Sequence, residues 1–296
     1  MSNQPTTRAT RTWKQTVALT LITAGLGTAA CGSSGESSAT ARDASSVRRS
    51  TGEPSATADN ASTTKNGVYC AYSLALETAP EPDVDFAAAS PQEIGAALQA
   101  WASETMLPLA RKAESLAPLE IGDAVIVMRT ALERVADSGD PSEFDEPAFV
   151  AAADEVHEHD VELCEWSTVT ATSSDYAFTG MPAALSSGPL SIELVNDGPE
   201  VHELTVLRVD PDVTAPLAEL MMSEEAGAQA LEFVTSTGPL EVGDSDYVMV
   251  NLEPGRYAVA CFIPQGATSM EALAQLASDA APHAALGMIH ELIVSE

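Results

Sequence analysis

Four side chains of this sequence have the types and placement to hold one metal ion. Cys261 ends the apolar run Arg256-Tyr-Ala-Val-Ala-Cys261, His283 and Met288 bracket the short segment HAALGM, and His202 stands far upstream in NDGPEVHEL. A thiolate and two imidazoles in a trigonal plane, with a weak axial thioether, suit a copper that cycles between Cu(I) and Cu(II) with little change in geometry. Small reorganisation makes electron transfer fast.

Such a set needs elements that deliver each donor to one place. Residues 247–252 and 256–261 are apolar, β-prone runs separated by Pro254-Gly255, a turn signal, so they read as a hairpin ending on the thiol. Gly287 lies in the segment joining His283 to Met288, so one short loop presents both side chains before residues 288–294 leave as the last strand. Residues 176–178, 190–194 and 203–209 supply further strands, the last following His202.

These residues resemble the cupredoxins, the plastocyanin-like blue copper proteins, over residues 168–296. The matching pieces are the Asn196-Asp-Gly198 turn before His202, the Leu252-x-Pro-Gly-x-Tyr257-x-x-x-Cys261 run and the His283-x4-Met288-x5-Val294 exit. The resemblance implies an antiparallel β-sandwich holding one type 1 copper, with His202, Cys261 and His283 equatorial and Met288 axial. His290, two residues after Met288, reads either as a group beside the copper or as a rim residue. The sequence departs from the family between cysteine and loop histidine, where residues 262–282 intervene; residues 271–278 read as a short helix that could cap the site. A metal-free sandwich acting as an interaction module is the alternative, as is a copper-delivery protein without electron turnover.

Charge and address narrow the setting. With 13 Lys and Arg against 44 Asp and Glu, the formal net charge is −31, which argues against nucleic acid as a partner and reads first as a solvated acidic surface, with attraction for a redox partner of basic surface as the sharper alternative. Arg8, Arg11 and Lys14 precede an apolar stretch at 17–30 and a small-residue site before Cys31, the layout of a bacterial lipoprotein signal. That reading ends residues 1–31 at a lipidated Cys31, making the protein extracytoplasmic and membrane-anchored; simple secretion is the alternative. Residues 32–65, rich in Ser, Thr, Ala and Gly, read as a disordered tether.

Residues 66–165 read as a small helical bundle. Ser90-Pro91-Gln-Glu93 is a capping box, residues 125–135 repeat an apolar face stopped at Asp140-Pro141, a third helix starts near Pro147, a shorter one lies near 70–77, and Pro108 should kink or split the longest. In an oxidising compartment the two remaining cysteines, Cys70 and Cys164, are expected to pair and clamp the bundle. Residues 210–245 form a second insertion, with 215–233 helical and 235–246 a loop. No phosphate loop, nucleophile elbow or C-x-x-C appears, so no catalysis is expected.

Overall fold

The computed structural model of the 296-residue chain describes residues 64–86, 88–222, 224–276 and 280–296. The expected signal, the lipidation of Cys31 and nearly all of the expected tether lie outside the described residues. Among the described residues, no helix is long and apolar enough to cross a membrane.

Helices come first. Helix α1, Lys65–Glu77, starts inside the expected tether because the Thr64 side chain accepts the Gly67 N–H and caps it. Helix α2, Pro91–Trp101, carries the capping box, with the Ser90 N–H donated to Glu93 and the Glu93 N–H donated to the Ser90 hydroxyl. Pro108 does not split the helix. A π-helical stretch, Ala102–Met106, leads straight into α3, Leu107–Leu116, with the Leu107 N–H reaching back five residues to Ala102. Proline offers no N–H and crowds the carbonyl four residues earlier, and the wider π turn absorbs that conflict. Helix α4, Gly122–Ser138, ends at Gly139, and α5, Pro147–Leu163, brings Cys164 to Cys70 in a disulfide with the two Cα atoms 5.6 Å apart.

Among the described residues nine strands follow: β1 (Ser167–Ser174), β2 (Ala177–Thr179), β3 (Ala184–Ser186), β4 (Gly188–Asn196), β5 (Thr205–Val209), β6 (Leu231–Ser236), β7 (Ser245–Leu252), β8 (Gly255–Ala260) and β9 (Ile289–Ser295). They form two sheets, β2-β1-β4-β7 and β3-β9-β8-β5-β6, packed over a shared apolar core that includes Ile192, Leu204, Val248, Val259 and Leu292. A bundle followed by a sandwich is the fold class the sequence implied. The sandwich is not wholly antiparallel, because β1 pairs with β4 and β3 with β9 in parallel.

Two local expectations are corrected. The runs either side of Pro254 are not a hairpin: β7 pairs with β4 in one sheet, while β8 pairs with β5 and β9 in the other. Pro254 has no N–H to give a hairpin ladder. The Tyr257 hydroxyl fixes the corner by donating to the Glu253 carbonyl at 2.9 Å while the Glu253 N–H reaches it at 3.2 Å. In the second insertion, helices α6 (Leu217–Met221) and α7 (Glu224–Ala230) end earlier than expected, and Leu231-Glu-Phe-Val-Thr-Ser is strand β6 along the sheet edge. Apolar periodicity through Ala230 reads as helix, but the β-prone residues beyond it pair with β5.

The bundle packs on the β4–β7 sheet through α5. The His157 ring stacks on Tyr247 with centroids 3.4 Å apart, and its Nε2 lies 3.0 Å from the Ser191 hydroxyl. His157 is thereby a packing residue between the two layers. His159, two positions on, faces Asp160 at 3.5 Å instead.

Candidate metal centre

Each donor is held by backbone before it meets the others. Asn196, wholly buried at the end of β4, donates its amide to the carbonyls of Glu200, Leu240 and Glu241, and its Oδ1 accepts the Gly198 N–H at 3.0 Å. This one side chain shapes the loop that carries His202. His202 itself is clamped to Leu240 by two backbone bonds, of 3.2 and 2.7 Å. Gly198 is required there, because a Cβ on it would lie 2.5 Å from His202 Nε2.

Cys261 follows β8 and is tied to the other loop: its N–H is donated to the Met288 carbonyl at 3.3 Å and its carbonyl accepts the Ala284 N–H at 2.7 Å. His283 opens a 3-10 turn, His283–Leu286, which Gly287 reverses at a φ of 107° before the Met288 N–H returns to the His283 carbonyl. Loop length alone would leave these donors floating. The bonds across residues 261, 283 and 288 fix them.

The donor atoms converge. Cys261 Sγ lies 3.9 Å from His202 Nδ1 and 3.4 Å from His283 Nδ1, and the two Nδ1 atoms are 3.1 Å apart. A point equidistant from all three sits about 2.0 Å from each, the length of a metal–imidazole bond. All three residues are fully buried, and among the described residues they are the His, Cys, Asp and Glu group placed to hold a metal ion. Met288, also fully buried, packs in the same apolar cluster as Cys261, with Val201, Ile263 and Ala267. A thiol with two imidazoles and a neighbouring thioether is a donor set for copper. His290 does not join it: its Nε2 lies 2.9 Å from the Pro182 carbonyl.

The electrostatics keep the imidazoles neutral. Burial, reinforced by the charge of His283, lowers the His202 pKa to about 4, and burial lowers His283 as well, against the pull of Glu200. Burial, then the neighbouring Glu203, raises the Cys261 thiol well above its usual value, while the Glu203 N–H reaches the sulfur at 3.4 Å. Two nitrogen lone pairs are therefore available at neutral pH, and metal loading must displace the thiol proton.

Three carboxylate and phenol positions around the site carried no readable motif. Glu203, fully buried, accepts the Phe262 N–H at 2.9 Å, joining the His202 loop to the residue after Cys261; burial pushes its pKa up to about 8. Glu200 lies 3.1 Å from His283 Nε2, accepts the Gly266 N–H at 2.7 Å and takes the Tyr176 hydroxyl at 3.0 Å. Burial works against its ionisation, but the Gly266 N–H, His283 and Tyr176 together hold it below the usual carboxylate range. In a chain with 44 acidic residues, two glutamates beside His202 give no distinguishing signal. The first insertion does pack over the site, with Met270, Leu273 and Leu276 against the cluster; helix α8 spans Met270–Gln275.

No family model matches this chain, and no curated protein does. Among solved structures, dithionite-reduced auracyanin from Roseiflexus castenholzii is similar at 18% identity with a TM-score of 0.30, over 44% of this chain and 98% of that one. Auracyanin A, described as a blue copper protein from Chloroflexus aurantiacus, is similar at 17% identity and a TM-score of 0.27, over 43% and 98%. Reduced rusticyanin is similar at 15% identity and a TM-score of 0.27, over 43% and 78%.

Proposed function

We propose that the protein is an exported type 1 copper protein that carries single electrons outside the cytoplasm. The observation that carries this reading is the meeting of three fully buried donors, from loops far apart in sequence, around a point one metal–ligand bond from each. Copper bound there would supply a one-electron couple whose two states share a geometry. The chain's own residues supply the rest. Cys261 provides the soft sulfur, His202 and His283 provide neutral nitrogens, Met288 stands as the weak axial donor, and the Glu203 N–H steadies the thiolate. The signal and Cys31 point to a lipid-anchored protein, the acidic surface to a basic redox partner, and the helical bundle to a docking or positioning role.

A second reading, copper binding and delivery without electron turnover, is favoured by one observation: His283 is fully buried and its outer nitrogen faces Glu200. Titration of the purified protein with Cu(II) separates the readings. One equivalent should produce an intense blue colour that a mild reductant bleaches and an oxidant restores. Tight Cu(I) binding without reversible colour would favour delivery, and no uptake of either ion would leave the interaction module.

A further inference from the structure

The cover over His283 rests on the copper reading and deepens it. Three separate segments build that cover: the turn between β1 and β2 supplies Tyr176, the loop before His202 supplies Glu200, and the first insertion supplies Gln265 and Gly266. The Glu200 carboxylate takes His283 Nε2 at 3.1 Å on the oxygen that also accepts the Gly266 N–H, and its other oxygen accepts the Tyr176 hydroxyl. Gln265 donates to the same hydroxyl at 3.2 Å. The Tyr176 ring lies 4.8 Å from the His283 ring, tilted by 59°. Asp175 and Tyr176 hold φ of 35° and 62°, in the left-handed region that residues other than glycine enter at a cost, and this conformation is what lays the phenol against His283.

We infer that Glu200 is the positioning residue of His283 and that, with Tyr176, it closes the outer edge of that ring, where the cupredoxin resemblance would put the electron's exit. Accepting the Nε2 proton fixes the tautomer that leaves Nδ1 free to face Cys261 and His202, and a carboxylate in that place makes the imidazole a stronger donor. A stronger donor favours Cu(II) over Cu(I). The closed edge slows exchange with any partner until the cover moves.

The first test needs no metal. In nitrogen-15-labelled, metal-free protein, His283 should carry its proton on Nε2, protected from solvent exchange, and Glu200→Ala should abolish the protection. The second uses copper-loaded full-length protein. Glu200→Gln, which keeps the shape and removes the charge, should shift the Cu(II)/Cu(I) preference about tenfold toward Cu(I), or about 59 mV in potential. Glu200→Ala should also speed electron self-exchange, and Tyr176→Phe should do so to a smaller extent. A proton on Nδ1 in the metal-free spectrum, or a potential and exchange rate unchanged in both Glu200 variants, would overturn the inference. Failure of the wild-type protein to take up copper would instead overturn the function, since the metal-free spectrum reads the hydrogen bond by itself.

Discussion

Gly198→Ala should damage the metal centre without touching a donor. A Cβ there would stand 2.5 Å from His202 Nε2 and 2.8 Å from its Cδ2, whereas an ordinary contact needs about 3.5 Å. The ring must therefore retreat by about 1 Å, and it has little freedom to do so, because His202 is fully buried and pinned to Leu240 through both backbone groups. Metal bonds tolerate shifts of only about 0.2 Å. Overpacking of this kind costs about 1–3 kcal/mol in the metal-free protein, and a misdirected ligand costs about 10–100-fold in metal affinity. Urea unfolding of the metal-free variant reads the first number, and competition with a chelator for copper reads the second. Gly122→Ala is the control, since a Cβ at Gly122 meets nothing within 4 Å. If Gly198→Ala bound copper as tightly as wild type with an unchanged spectrum, the close approach of Gly198 to His202 would not govern the site.

Three further outcomes follow from the same structure. Met288→Leu should keep the copper and its colour but raise the potential, because losing a weak axial donor destabilises Cu(II) more than Cu(I); voltammetry showing no change would remove Met288 from the ligand set. The double variant Cys70→Ala, Cys164→Ala should lose about 2–5 kcal/mol in urea unfolding while leaving the copper spectrum intact, because the cross-link joins α1 to the end of α5, 94 residues apart in sequence, within the bundle rather than the sandwich; an unchanged midpoint would contradict this. Glu203→Gln should change the pH dependence of metal-free stability. The folded pKa of Glu203 is raised to about 8, so its contribution is full below its unfolded value and is lost as pH rises toward that number. The amide does not titrate, so the stability of Glu203→Gln relative to wild type should improve between about pH 5 and pH 8, by up to about 4 kcal/mol; a pH-independent difference would refute it.

The meeting of His202, Cys261 and His283 was legible because their chemistry is rare: a thiol and two imidazoles, each beside a turn or strand signal, leave few other readings. The capping box at Ser90 and the pairing of Cys70 with Cys164 were legible for the same reason, since each rests on residue types with narrow roles. Strand partnership was not. Two apolar runs around Pro254-Gly255 satisfy a hairpin and a sheet-to-sheet corner equally, and only the long-range pairing of β7 with β4 decides between them. Residues 231–233 continued a helical pattern locally and became strand through their partners in β5. Glu200 and Tyr176 were invisible because they act through contacts that join the β1–β2 turn, the His202 loop and the first insertion, and nothing in their spacing records that meeting.

X-ray absorption at the copper edge of the loaded protein, in both oxidation states, tests the central claim most directly. The arrangement of Cys261, His202 and His283 predicts one sulfur and two nitrogens bound, the nitrogens at about 2.0 Å, with distances that barely change on reduction. A copper with no sulfur ligand, or one whose ligand number changes with its oxidation state, would contradict it.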